Sequence, residues 1–384
     1  MPRVPIVWRN FTHSPRRLAT SVAGIAFAVL LMFTEVGFLH GLYDSQVELV
    51  NHLNADLIIT NRLKHTMVQL TPFARRRLYQ ATTIPGVKAA YPLYIHLERP
   101  VWKSPTNRKL YPIRVLAFRP EDPVFANPAI IAHAAALQMP DTVLMDTQSK
   151  SYFGDRHAGV VTELSGKAIR VVDTFRLGTD FVNGGTLIMS DRNFLKFVAS
   201  EHERDTLLGK VEIGVVHVVP GMEPATVAAA LRQALPDDVA VYTKAEYLAH
   251  ELRYWQENTA IEPLYALGAA MGFVIGVIIC YQILYTDVVD HLPQFATMKA
   301  IGHQNRFLVG VVFRQALGLA CLGFVPGLVL SAVFYSLLAH GTGLLMRLTV
   351  PRATLVFILT VVMCIFAGSL AARKVFAADP AEVF

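Results

Sequence analysis

Residue types that do chemistry elsewhere occur in this chain, but at spacings that fail. His250-Glu251 opens the pattern of a zinc-protease helix, where a second histidine four residues after the first completes the ligand set. Here Leu252-Arg253-Tyr254 follow and no second histidine arrives; His202-Glu203 fails likewise. Gly166-Lys167 and Gly209-Lys210 resemble one step of a phosphate-cradling loop, which needs Gly, four residues, then Gly-Lys-Ser/Thr. Ala168 and Val211 follow the lysines, and the leading glycines are missing. No Gly-x-Ser-x-Gly elbow occurs, and Gly368-Ser369 reads as a small packing surface. The remaining histidines are scattered singly, and no spacing matches a metal site. The chain is therefore expected to have no catalytic residues, no metal and no bound cofactor. If ATP with its Mg²⁺ drives it, a separate subunit must bind them.

The elements available to hold a site are dominated by apolar spans. A bilayer needs roughly 20 consecutive apolar residues per helix. Residues 18–34 carry no charge, and 36–42 prolong the run past Glu35; 263–286, 316–338 and 353–372 also lack Asp, Glu, Lys and Arg. These give four transmembrane helices, TM1 over 18–42, TM2 over 263–286, TM3 over 316–338 and TM4 over 353–372. The first run is longer than a signal-peptide core and is read as a retained anchor. A mean hydropathy of +0.40 fits a chain partly embedded and partly water-facing. Cys280, Cys321 and Cys364 all fall within spans, so the water-facing part has no thiol for a disulfide or a metal.

Basic residues in short flanks resist translocation and set orientation. Arg3, Arg9, Arg16 and Arg17 precede TM1, and Arg373 and Lys374 follow TM4. The N-terminal segment 1–17 and the tail 373–384 are then cytoplasmic, as is the loop 287–315. Residues 43–262 and the link 339–352 lie outside, although Arg347 and Arg352 in that link run against the rule. The net charge of +6 belongs to these lipid-facing flanks; no basic tract with interleaved aromatics suggests nucleic acid.

Short apolar, β-branched runs divided by turn residues recur at 55–60, 87–94, 113–118, 142–145, 168–172, 186–189, 211–218 and 239–242, and read as strands. Helical stretches at 71–81, 191–199 and 224–235 lie between them, which makes the domain α+β. Longer helical stretches at 38–53 and 243–262 adjoin TM1 and TM2 and read as a two-helix stalk carrying the head. Tyr254 and Trp255 suit the outer membrane interface and Trp8 the inner one.

Two motifs remain in the membrane half. Gly268, Gly272 and Gly276 stand four apart on one face of TM2, a spacing that lets another helix approach closely and marks a candidate dimer contact. Glycine is also simply common in membrane helices. Gly323 and Gly327 repeat the spacing in TM3 around Pro326, which is expected to bend the helix. In the inner loop, residues 293–301 form a short helix with Phe295, Met298 and Ile301 spaced three apart, closed by Gly302. Such an apolar stripe docks into a groove on a soluble partner or rests on the bilayer surface.

The loop Gln294-Phe-Ala-Thr-Met-Lys-Ala-Ile-Gly302, the apolar span after it and the terminal Ala378-Asp-Pro-Ala-Glu-Val-Phe384 resemble the FtsX/MacB superfamily of ABC transporter permeases. Strings through nearly the whole chain are similar to the DevC-type permeases of DevBCA exporters. They include Arg75-Arg-Arg-Leu-Tyr-Gln-Ala81, Tyr91-Pro-Leu-Tyr-Ile95, Leu177-Gly-Thr-Asp-Phe181 and Tyr281-Gln-Ile-Leu-Tyr-Thr-Asp287. One departure is Gln294, where the family usually carries an acid.

The resemblance implies a permease homodimer in the bacterial inner membrane, with a DevA-like ABC ATPase beneath it, a DevB-like adaptor above and a TolC-like outer-membrane protein beyond. ATP hydrolysis in that ATPase would move stalk and head and export a lipid, glycolipid or other hydrophobic cargo. Carried onto this chain, Pro293, Gln294, Phe295, Met298, Lys299, Ile301 and Gly302 form the ATPase-docking helix. The alternative is an FtsX-like mechanotransmitter that activates a periplasmic cell-wall hydrolase and transports nothing.

Overall fold

The computed structural model describes residues 15–97, 99–180, 182–302, 304–342 and 346–376. Arg3, Trp8, Arg9 and the terminal string 378–384 lie outside the described residues. Among the described residues the helices of seven residues or more are α1 Pro15–His52, α2 Arg76–Thr82, α3 Asp191–Phe197, α4 Pro224–Ala234, α5 Lys244–Glu257, α6 Ile261–Asp290, α7 Leu292–Ala300, α8 Asn305–Thr342 and α9 Val350–Phe376. Contacts divide the chain into two compact units. A membrane unit comprises Met1–His40, Ala260–Leu337 and Met346–Phe384, and a head comprises Gly41–Thr259 with Leu338–Leu345.

Among the described residues four helices are long and apolar enough to cross a membrane, over Leu18–His52, Ile261–Asp290, Arg306–Ala339 and Val350–Arg373. The chain is a multi-pass membrane protein. Span 18–42 and the first stalk stretch form one unbroken helix, α1, because nothing between them removes a backbone donor as proline would. α8 likewise runs continuously through Pro326.

Within the membrane unit α1 shares one apolar cluster with α6, α8 and α9, to which it contributes the buried Ile25, Ala28, Val29, Met32 and Phe33. Glycines on the neighbouring helices make that approach possible. A Cβ at Gly323 would stand 2.6 Å from Ile25 Cβ, and one at Gly327 would stand 2.7 Å from Val29 Cβ. The Gly268, Gly272 and Gly276 face, read as a candidate contact between two copies, packs instead on helices of the same chain. The Glu35 carboxylate fills the notch at Gly268, Leu31 and Met32 lie over Gly272, and Ala28 with Met363 closes over Gly276. Spacing announces that a helix comes close; it does not say which helix.

The head is built on an 11-stranded sheet. Its strands are β1 Leu57–Asn61, β3 Val87–His96, β4 Val101–Lys103, β5 Leu110–Pro112, β6 Arg114–Phe118, β7 Thr142–Asp146, β8 Val161–Leu164, β9 Lys167–Phe175, β10 Thr186–Ser190, β12 Ile213–Val218 and β13 Val239–Thr243. β2 Phe73–Ala74 and β11 Lys210–Val211 form a separate pair. The order is β13-β1-β12-β3-β6-β10-β7-β9-β8-β4-β5. β6 with β10 and β7 with β9 are parallel, and the other pairs are antiparallel. Side chains alternate between two cores: Leu57 and Ile59, Val143 and Met145, and Leu187 and Met189 face one, while Ile58, Leu144 and Ile188 face the other. Because both faces are covered, these strands read as continuous apolar runs.

All the stretches read as strands lie in this sheet. The β4–β5 hairpin and β8 were not foreseen, being short, polar in part and gathered at one edge. The helical stretch 71–81 is shorter than expected, because Phe73 and Ala74 pair with β11 before α2 begins. Trp255 is not an interfacial anchor: it is 7% exposed, and its Nε1 donates to the Glu251 carboxylate at 3.0 Å.

Candidate partner-docking loop

α6 ends at Asp287-Val-Val-Asp290, and His291 caps it, its N–H donating to the Asp287 carbonyl at 3.2 Å. The His291 ring sits 2.8 Å from the same carbonyl through Nδ1. Gln315, on α8, donates through Nε2 to the Asp287 carboxylate, which ties the two ends of the inner loop together. α7 follows at once, with Pro293 in its first turn, where a missing N–H costs nothing. It ends at Gly302, whose φ of +102° only glycine adopts without strain, with its N–H donating to the Lys299 carbonyl at 2.9 Å.

α7 presents two faces. Phe295 is 5% exposed and packs with Val288 of α6, Leu308 and Val312 of α8 and Ala372 of α9; Leu292, Met298 and Val309 lie at the margin of this cluster. Ala296 is buried as well. Pro293, Gln294 and Thr297 are exposed, and Ile301 is 75% exposed just after the helix. Lys299 is half-buried and Gly302 is exposed.

The apolar stripe expected of Phe295, Met298 and Ile301 is thus divided, and Phe295 is an anchor within the chain. The reason is geometric. At 3.6 residues per turn, each three-residue step drifts by about 60°, so Ile301 lies about 120° around the axis from Phe295. Pro293, Gln294, Thr297 and Ile301 gather on the opposite face, and Thr297 was missed. Counting at three and four residues from Gln294 and Pro293 would have found it.

The motifs that failed as catalytic sites have other roles in the head. Glu251 is fully buried and accepts from Thr66 Oγ1, from the Met67 N–H at 2.8 Å and from Trp255, which fastens α5 to the 62–72 segment. Burial pushes its carboxyl above the usual value, while the three donors pull it back. Glu203 is exposed, and hydrogen bonds from Arg99 and Ser200 hold its carboxyl down at about 2. Ser165 and Gly166, with φ of 51° and 76°, are the two-residue turn of the β8–β9 hairpin. Among the described residues no three His, Cys, Asp or Glu side chains come together as metal ligands.

Residues 266–380, which contain this loop and the helices around it, match the family described as FtsX-like permease C-terminal. Two uncharacterized ABC transporter permeases of Mycobacterium tuberculosis (strain ATCC 25618 / H37Rv) are each 22% identical to the chain. One aligns over 384 residues, 99% of this chain and 97% of the relative, and the other over 383 residues, 98% and 97%. The crystal structure of the periplasmic region of MacB from Actinobacillus actinomycetemcomitans covers 53% of this chain and 92% of its own at 10% identity, with a TM-score of 0.34. The extracellular domain of the noncanonic ABC-type transporter YknZ from Gram-positive bacteria covers 49% and 99% at 7% identity, with a TM-score of 0.32. Residues 266–380 are therefore similar to the FtsX-like permease C-terminal family, and the chain along its length is similar to ABC transporter permeases.

Proposed function

We propose that this chain is the permease subunit of an ATP-driven, DevBCA-like export system in a bacterial inner membrane. A separate ABC ATPase docks on the outer face of α7, and a homodimer of the permease works with an adaptor and a TolC-like duct to export a lipid, glycolipid or other hydrophobic cargo. The observation that carries the reading is the two-sided α7. Phe295 locks one face into α6, α8 and α9, and the other face offers Pro293, Gln294, Thr297 and Ile301 to a partner. A helix gripped in this way passes a push at its outer face directly to three spans. Both termini lie on the ATPase side in this reading, and the head on the other.

The test is the double substitution Gln294→Arg with Ile301→Asp in the tagged permease, purified from its own membranes. Both side chains are exposed, so the thermal midpoint should hold while recovery of the ATPase falls roughly tenfold, as expected when contacts at a small interface are lost. Undiminished recovery sinks the docking assignment. Recovery of a cell-wall hydrolase in place of an adaptor would replace export by mechanotransmission.

A further inference from the structure

Between Leu18 and Tyr43 of α1, Glu35 is the one acidic or basic residue. At 1.5 Å per residue it lies about 25 Å along the helix from Leu18, within the roughly 30 Å of a hydrocarbon core. The side chain is half-buried and turned sideways toward α6, where a Cβ at Gly268 would stand 2.5 Å from its Cδ. The other glycine notches along α1 receive apolar side chains: Leu31 and Met32 at Gly272, Ala28 at Gly276, Ile25 at Gly323 and Val29 at Gly327. A carboxylate in such a place is costly and needs a partner.

Among the described residues Glu35 has no hydrogen bond and no ion pair. The polar side chains beside it on α1 serve their own helix: Thr34 Oγ1 donates to the Leu30 carbonyl at 2.8 Å, and His40 Nδ1 lies 2.9 Å from the Val36 carbonyl. Past Arg17, α1 carries no Lys or Arg, and α6 carries none at all. Arg352, at the start of α9, donates to the Arg347 carbonyl at 2.8 Å. One flank of the notch is open. Leu264, Leu267 and Met271, all within about one turn of Gly268, are 65%, 61% and 58% exposed. One turn along from the notch, Phe38 stacks on Tyr265 with ring centroids 6.2 Å apart.

We propose that Glu35 binds a primary ammonium group carried on an apolar body, an aminophospholipid or a lipophilic amine entering from the lipid. The ammonium donates to the carboxylate at the Gly268 notch, and the alkyl part lies along Leu264, Leu267 and Met271. The Phe38–Tyr265 pair sets aromatic surface beside the positive charge, which ring faces attract. A charge-assisted hydrogen bond gains strength where water is scarce, so one carboxylate in this setting is enough to discriminate. The site lies at the opposite end of α6 from α7 and does not depend on the docking assigned there.

The test is native mass spectrometry of the full-length, detergent-purified permease with no ATPase present. In one arm it is offered equal amounts of dioleoyl phosphatidylethanolamine and dioleoyl phosphatidylcholine; in the other, dodecylamine and dodecanol. The primary amine of at least one pair should be retained roughly tenfold over its competitor, and Glu35→Gln, which keeps the shape and removes the charge, should abolish that preference. Preference for phosphatidylethanolamine names a membrane lipid as the source, and preference for dodecylamine alone names a lipophilic amine. No preference in either arm overturns the site, as does a preference that survives in Glu35→Gln. Thermal midpoints supply a second reading. Because Glu35 has no partner in the fold, Glu35→Gln should melt at or above the wild-type midpoint, and a lower midpoint would show that the carboxylate is already paired and overturn the proposal.

Discussion

Lys64 and Glu212 meet at 2.9 Å inside the head, with side chains 0% and 8% exposed. The Lys64 ammonium also donates to the Gln69 carbonyl, and the Thr71 N–H donates to Glu212 at 3.2 Å, so the pair closes the 62–72 segment onto β12. Removing one partner strands a buried charge, at about 3–5 kcal/mol. Lys64→Met should therefore lower the thermal midpoint sharply, and adding Glu212→Gln should recover most of the loss; a double variant no better than the single one would refute this account. Glu251 gives a pH signature. Burial raises its folded carboxyl above the unfolded value of 4.5, so the folded state holds the proton more tightly. Its contribution is complete below the unfolded value and is lost as pH rises through the folded one. The wild-type midpoint should fall more between pH 5 and pH 8 than that of Glu251→Gln, which carries no titrating group there. Asp122 and Asp146, also raised by burial, account for dependence shared by both proteins.

At the scale of elements, the membrane unit is held by glycine notches that differ in what they meet. Gly323 and Gly310 both lie on α8. A Cβ at Gly323 would come within 2.6 Å of Ile25 Cβ, a branched carbon that cannot swing aside, whereas one at Gly310 meets nothing within 4 Å. Gly323→Ala should cost about 1–3 kcal/mol through overpacking. Gly310→Ala should be neutral or gain up to about 1 kcal/mol, since alanine is the better helix former. Thermal midpoints in detergent for the two variants decide this, and equal shifts would mean that α8 does not pack on α1 as described. α5 shows the same economy in the head. Thr243 and Glu246 form a capping box at its start, and Lys244 reaches back to the Asn51 carbonyl at 3.1 Å and the Leu53 carbonyl at 2.6 Å, closing the C-terminal end of α1.

At the scale of the whole molecule, the proposed topology, with both termini on one side of the membrane and the head on the other, rests on the arginines before TM1 and after TM4. Val161, 57% exposed on β8, is a suitable reporter. In a background with Cys280, Cys321 and Cys364 replaced, Val161→Cys should label with a membrane-impermeant maleimide in intact cells whose outer membrane has been opened. Labelling only after lysis would invert the topology.

The sequence by itself determined the four spans, the α+β head between the first and second, and the positions of its main strands. Each of these rests on composition and local period, which neighbouring residues carry without reference to anything distant. The short α7 was legible for the same reason, from Pro293 at its start and Gly302 at its end. Only the tertiary structure decided what each face touches. It turned Phe295 inward and Ile301 outward, and gave the Gly268, Gly272 and Gly276 face to α1 and α9 of the same chain. It also buried Glu251 where it fastens α5 to the 62–72 segment. Those outcomes depend on partners far away in the chain, and a helix carries the same local pattern whichever partner it meets.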